Sequence, residues 1–216
     1  MKRILFQGDS ITDCGRAREG GYAHWLGNGY ATMVSGELGL KYPGEYEFFN
    51  RGISGNRIVD LYARIKSDFI NLKPDYASIL IGVNDAWHEY SRQNGVDTEK
   101  FEKIYCLLLD EIFEALPNIK IFLMTPFLLH GTSADSCEEY PDRFERLQKD
   151  TMGKADAVKR IGKKYGLPVI DLQKAFDEHL SEKAPDSYWV TDGVHPHLAG
   201  HALIKELWIK QFNEII

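Results

Sequence analysis

The chain has 216 residues, 44% of them hydrophobic and 27% charged, with a formal net charge of −6. That length suits one α/β domain with a sizeable core, and the mixture excludes a disordered chain. An acidic balance without any basic run excludes nucleic acid and anionic membrane as first partners, and no stretch reaches the ~18 apolar residues of a membrane span.

Met1-Lys2-Arg3 leads straight into an apolar run with no leader-like h-region, so the expected location is the cytoplasm. The first strand is expected over residues 3–6 and a second over 46–50. Ile58, Leu61, Ile65, Phe69 and Ile70 then follow a helical stripe. A third strand is expected over 76–81. Phe101, Ile104, Leu108, Ile112 and Leu116 form a second helical stripe, stopped by Pro117. A fourth strand over 120–124 precedes a long polar segment, 128–150. The chain closes with a helix over 155–165, a strand over 168–171 and a helix over 198–212, with Pro196 expected in its first turn. Strands alternating with helices imply a parallel sheet covered on both faces, so the expected fold is a flavodoxin-like three-layer α/β/α sandwich with five parallel strands in a single domain spanning 1–216. Cys14, Cys106 and Cys137 lie far apart, which argues against a disulfide framework or a structural zinc site.

In such a sheet, functional groups belong outside the carboxyl ends of the strands. Four stretches qualify: Gly8-Asp9-Ser10, the loop 50–56, Gly82-Val83-Asn84-Asp85, and Asp192-Gly193-Val194-His195-Pro196. A serine hydroxyl needs a base within hydrogen-bond reach, and His195 titrates near neutrality. Asp192, three residues earlier, can fix the imidazole tautomer, and Pro196 restrains the His195 backbone. The Gly55 N–H and the Asn84 amide suit an oxyanion hole. Taken singly, Ser10 reads as a helix cap and Asn84-Asp85 as turn chemistry.

These four blocks resemble the SGNH (GDSL) hydrolase superfamily over nearly the whole chain. The resemblance implies Ser10 as nucleophile, with Asp192 and His195 as acid and base. It implies oxyanion donors from the Ser10 N–H, Gly55 and Asn84, with Gly52 as the alternative glycine, and no cofactor or metal. The strings at 8–16, 52–56 and 123–127 resemble bacterial acetylxylan esterases. The implied activity is hydrolysis of short acetyl esters of xylo-oligosaccharides or related sugars, and the alternative is a broad-specificity acylhydrolase. The flanking segments 13–28 and 130–150 are rich in Gly, Arg, Asp, Glu and Ser and suggest no apolar acyl channel. Partners are then a small-molecule or oligosaccharide ester, with a homo-oligomer left open.

Two rival readings compete. Asp192, His195, His197 and His201 could ligate a metal, although Pro196 separates the ring directions and no HExxH is present. Otherwise His197 and His201 belong on the solvent-exposed or subunit-facing side of the last helix. A non-catalytic flavodoxin-like phosphate binder is the other rival, but it places Asp9 beside the phosphate and leaves Asn84 without work. Trp87 and Trp189, with Tyr90 and Tyr188 nearby, are candidate sugar-stacking faces, with core packing as the alternative. Arg16 and Arg18 are expected to be solvated.

Overall fold

The computed structural model describes residues 1–18 and 26–216; part of the flanking segment 13–28 therefore lies outside the described residues. Strand β1 (Lys2–Gly8) lies between β2 and β3, and the order is β2-β1-β3-β4-β5, all parallel, with β2 Tyr46–Asn50, β3 Tyr76–Leu80, β4 Lys120–Met124 and β5 Val169–Ile170. Side chains alternate between the two faces. Ile4 and Phe6, with Tyr76, Leu80, Phe122 and Met124, join one core with α2 (Tyr30–Lys41), α8 (Leu172–His179) and α10 (Leu198–Ile215). Leu5, with Ala77, Ile79, Ile121 and Leu123, joins the other with α3 (Ile58–Ala63), α6 (Thr98–Ala115) and α7 (Arg143–Tyr165). This is the expected α/β/α sandwich.

Differences from the expected elements are local. The stripe at 58–70 is not one helix: it splits into α3, α4 (Ile65–Asp68) and a 3-10 turn at Ile70–Leu72, because the backbone leaves helical geometry at Arg64 (φ −112°, ψ 16°) and Phe69 (φ −140°, ψ −72°). The apolar face still meets the sheet, so the stripe survives the break. The last third of segment 128–150 is the start of α7, which runs well before residue 155. Pro196 lies outside α10, in an isolated antiparallel bridge with Val190, and His197 occupies the cap position instead. Short α1 (Ser10–Asp13), α5 (Val83–Arg92) and α9 (Asp186–Trp189) complete the order. Among the described residues, no helix is long and apolar enough to cross a membrane.

Candidate active site

Ser10 opens α1 just beyond the carboxyl end of β1, at the point where the order turns outward to β2 on one side and β3 on the other. The turn is tight: a Cβ on Gly8 would meet the Leu80 carbonyl at 2.4 Å and Thr12 Oγ1 at 2.5 Å, so only glycine lets the chain pass. Asp9 caps α1 by accepting the Ile11 N–H (3.0 Å). Burial pushes its carboxyl up to about 7, against the pull of that N–H and of His195.

The loop before α10 delivers an imidazole to the hydroxyl. His195 Nε2 lies 2.8 Å from Ser10 Oγ, and His195 Nδ1 lies 2.6 Å from Asp192 Oδ2. Asp192 also accepts the backbone N–H of Val194 (3.1 Å) and of His195 (2.9 Å) through Oδ1. Burial opposes ionisation of Asp192, but the His195 side chain and the two N–H groups outweigh it and hold the carboxyl at about 2. An ionised carboxylate only accepts, so Nδ1 carries the proton and Nε2 is left to accept from the serine hydroxyl. The hydrogen bond to Asp192 raises His195 above 6.5, against partial burial.

Three donors on the loops around Ser10 keep hydrogens uncommitted. Among the described residues neither the Ser10 nor the Gly55 N–H has a hydrogen-bond partner. Asn84, in the first turn of α5, gives one amide hydrogen to the Asn56 carbonyl (3.1 Å) and keeps the second. Gly55 has φ +81° and open space where a side chain would stand, a conformation suited to glycine. Gly52, the alternative glycine, is committed elsewhere: its N–H donates to Asn50 Oδ1 (2.9 Å), and a Cβ there would meet the Asp13 nitrogen at 2.3 Å. A paired Ser, His and Asp facing N–H donors can form and collapse a tetrahedral oxyanion.

Residues 6–203 match the family described as GDSL-like Lipase/Acylhydrolase. The chain belongs to that family. An acetylxylan esterase of Geobacillus stearothermophilus is 36% identical over 221 residues, covering 98% of this chain and 94% of the relative. The crystal structure of such an esterase from Geobacillus stearothermophilus superposes with a TM-score of 0.82 at 34% identity, covering 97% and 93% of the two chains. An α/β hydrolase, LAE5, from the metagenome of Lake Arreo superposes with a TM-score of 0.83 at 28% identity over 98% and 95%. The protein is accordingly a GDSL-like carboxylic ester hydrolase.

Buried polar side chains hold one side of this GDSL-like site together. Asn50 donates to the Thr12 carbonyl (2.6 Å), Arg16 Nε to the Gly52 carbonyl (2.7 Å), and Asp13 Oδ2 accepts the Ser54 N–H (3.0 Å). Together they pin the Gly55 loop onto α1. Arg16 is therefore buried, not solvated as expected, because its guanidinium replaces water with the Gly52 carbonyl and with Asp13. Asp85 accepts the Ile58 N–H through both oxygens (3.1 and 3.2 Å) and ties α5 to α3. Burial, with the nearby Asp9, pushes Asp85 up to about 8. On the other side, the loop bearing Asp192 and His195 is gripped mainly by backbone: Leu129 N–H to Gly193 O (2.9 Å), and Ser133 and Ala134 N–H to Asp192 O (3.3 and 3.0 Å), with the Thr132 hydroxyl donating to the Thr191 carbonyl (3.4 Å). Gly131 permits that approach, since a Cβ there would meet the Gly193 nitrogen at 2.2 Å.

Two further expectations need correction. Trp189 is not a sugar-facing surface: it is buried against Phe176 and His179, and its Nε1–H donates to the Ala184 carbonyl (3.1 Å), which satisfies the indole inside the fold. Tyr188 is the exposed ring of that pair. His201 is buried, not solvent- or subunit-facing. Its Nδ1 accepts the Tyr30 N–H (3.3 Å), so Nε2–H points to Cys14 Sγ (3.4 Å), and burial holds the ring down at about 4. His197 is exposed. Trp87 is half-buried against the core, one turn beyond Asn84.

Proposed function

We propose that this hydrolase removes short acyl groups, acetyl above all, from esterified xylo-oligosaccharides or related sugars through an acyl-Ser10 intermediate. The observation that carries the reading is the continuous chain Asp192–His195–Ser10, 2.6 and 2.8 Å, and the uncommitted N–H groups of Ser10, Gly55 and Asn84 support it. His195 Nε2 takes the Ser10 proton as Oγ attacks the ester carbonyl. The Ser10 and Gly55 N–H groups and the Asn84 amide receive the developing oxyanion. His195 then protonates the departing sugar oxygen, and a water activated by the same nitrogen releases the acid. Asp192 stays ionised throughout and stabilises the imidazolium.

The acetyl-sugar preference is supported by the 36% identical acetylxylan esterase and by the surroundings of Ser10. A cavity of about 360 Å³ beside Ser10 and His195 is lined by Ile11, Asp13, Cys14, Gly15, Ser54, Pro196 and His201. Asp13, Ser54 and His201 place polar groups in its wall, and each methylene of a longer acyl chain gains ~0.8 kcal/mol only where apolar surroundings bury it. Trp87 remains the aromatic face for the sugar. The test is kcat/KM across acetyl, butyryl, octanoyl and palmitoyl esters of one alcohol, followed by peracetylated xylobiose, for wild type and Ser10→Ala. Fast acetate release from the sugar, falling rates with acyl length and a dead Ser10→Ala are expected. Rates that rise with acyl length, without acetate release from xylobiose, would leave a general acylhydrolase instead.

A further inference from the structure

We propose that Arg64 is the positioning residue that sets the geometry of the oxyanion donors, an inference that rests on the reading of Ser10, Gly55 and Asn84 above. Arg64 stands at the break between α3 and α4, with its side chain only 13% exposed. Its guanidinium Nη2 donates to the Gly8 carbonyl (3.2 Å), two residues before Ser10. Nη1 donates to the Arg51 carbonyl (2.8 Å) and to Asp68 Oδ2 (3.0 Å), and Nε to Asn56 Oδ1 (2.8 Å). Arg51 and Asn56 bracket the loop that presents Gly55. The Asn56 carbonyl is also the acceptor that orients the Asn84 amide.

One rigid plane thus spans the end of the nucleophile strand and both ends of the Gly55 loop, and through Asn56 it reaches Asn84. These three donors come from three separate strand ends, so no local turn fixes their spacing. The fork does. Asp68 secures the guanidinium without entering the site. An ammonium at this position would keep the charge but could not bridge Gly8, Arg51 and Asn56 from fixed directions. The break in the helical stripe falls at the same residue, where the backbone leaves helical geometry (φ −112°, ψ 16°). Because an oxyanion hole acts on the transition state, misplacing it lowers turnover and spares substrate binding.

The test is Arg64→Lys, assayed with an acetyl ester beside wild type. Misplacement on the ångström scale predicts a kcat lower by ~30–100-fold with KM within about twofold, and an acid limb of the pH profile that does not move, since His195 is held from the other side. Repeating Arg64→Lys in an Asn84→Ala background should cost several-fold less than in wild type, because Arg64 acts partly through that amide. Near-wild-type kcat in a folded Arg64→Lys, equal losses in both backgrounds, or a loss confined to KM overturns the proposal. Should Arg64→Lys not fold, Asn56→Ala decides it by deleting the Oδ1 acceptor while leaving the Asn56 carbonyl. A kcat lower by ~3–10-fold supports the proposal, and an unchanged kcat overturns it. Hydrolysis that survives Ser10→Ala would instead remove the underlying reading, whatever Arg64→Lys does.

Discussion

The two halves of the site are held by different means. The nucleophile half, Ser10 with the Gly55 and Asn84 loops, is laced by buried polar side chains: Asn50, Asp13, Arg16, Arg64 and Asp85 each bond a backbone group across a loop boundary. The acid–base half, Asp192 and His195, has its loop fixed from outside by backbone hydrogen bonds from residues 129–134 and by the close approach of Gly131. A side-chain lattice can be loosened one residue at a time. A clamp made mostly of backbone offers one side chain to delete, the Thr132 hydroxyl on the Thr191 carbonyl, so it yields chiefly to a steric intrusion. The first arrangement allows the donors to be tuned separately, and the second keeps the imidazole and its carboxylate moving as one unit.

The sharpest way to break the acid–base half from within is Asp192→Asn. The amide can no longer enforce the Nδ1–H tautomer, so kcat should fall by about 10³–10⁴ with the fold retained. Steady-state kinetics and circular dichroism together check this; a loss below tenfold would detach Asp192 from the chemistry. In the other half, Asn84→Ala should lower kcat by ~10²–10³ with little change in KM. A variant that keeps both its thermal midpoint and its turnover would make Asn84 a turn residue only.

The clamp itself is tested by Gly131→Ala. A Cβ at 2.2 Å from the Gly193 nitrogen and 2.4 Å from the Asp192 carbonyl carbon must displace the loop that carries His195. Turnover should drop by ~10–100-fold, with a stability loss of about 1–3 kcal/mol in chemical denaturation. Its acid limb should shift as well, unlike that of Arg64→Lys, and that contrast measures whether the two halves are separable.

The remaining effects are set by protons. His195 must be neutral to act as base, and the bond to Asp192 raises its pKa above 6.5. The acid limb of kcat/KM should therefore fall above pH 6.5 and move downward in Asp192→Asn. A wild-type limb below that value would contradict the ion pair. Stability has its own dependence, on the opposite half. Buried Asp85 is pushed up to about 8, so the folded state holds its proton more tightly than the unfolded chain does. Its stabilising contribution is complete below the ordinary carboxylate range and is lost as pH rises through about 8. Thermal midpoints should decline between pH 5 and pH 9, and Asp85→Asn should flatten that decline. An equal slope in the variant would assign the dependence to other groups, Asp9 first among them.

Ser10, Asp192 and His195, which the structure brings together, are legible in the sequence with Gly55 and Asn84 only as a set: each alone has a second task as cap or turn residue, and it is four blocks in order at strand ends that point to one site. Asp13, Arg16 and Arg64 are not legible, since a charged residue in a loop reads as solvated until the carbonyls it bonds are in place. Trp189 and His201 misled for a related reason: an aromatic or imidazole near a motif shows nothing of which side of its element is covered. The grip of residues 129–134 leaves little signal beyond Gly131 and Thr132, as every residue carries the same N–H.

The sequence by itself determined the alternating architecture, since apolar periods of two and 3.6 residues admit few packings other than a covered parallel sheet. It also determined the chemical inventory of the site, because hydroxyl, imidazole, carboxylate and amide are properties of residues. Tertiary structure decided which of those groups face one another, which arginines are buried, and what restrains each half. Those outcomes depend on contacts between segments as far apart as Gly8 and Arg64 or Gly131 and Gly193, and such contacts exist only once the sheet has set its register.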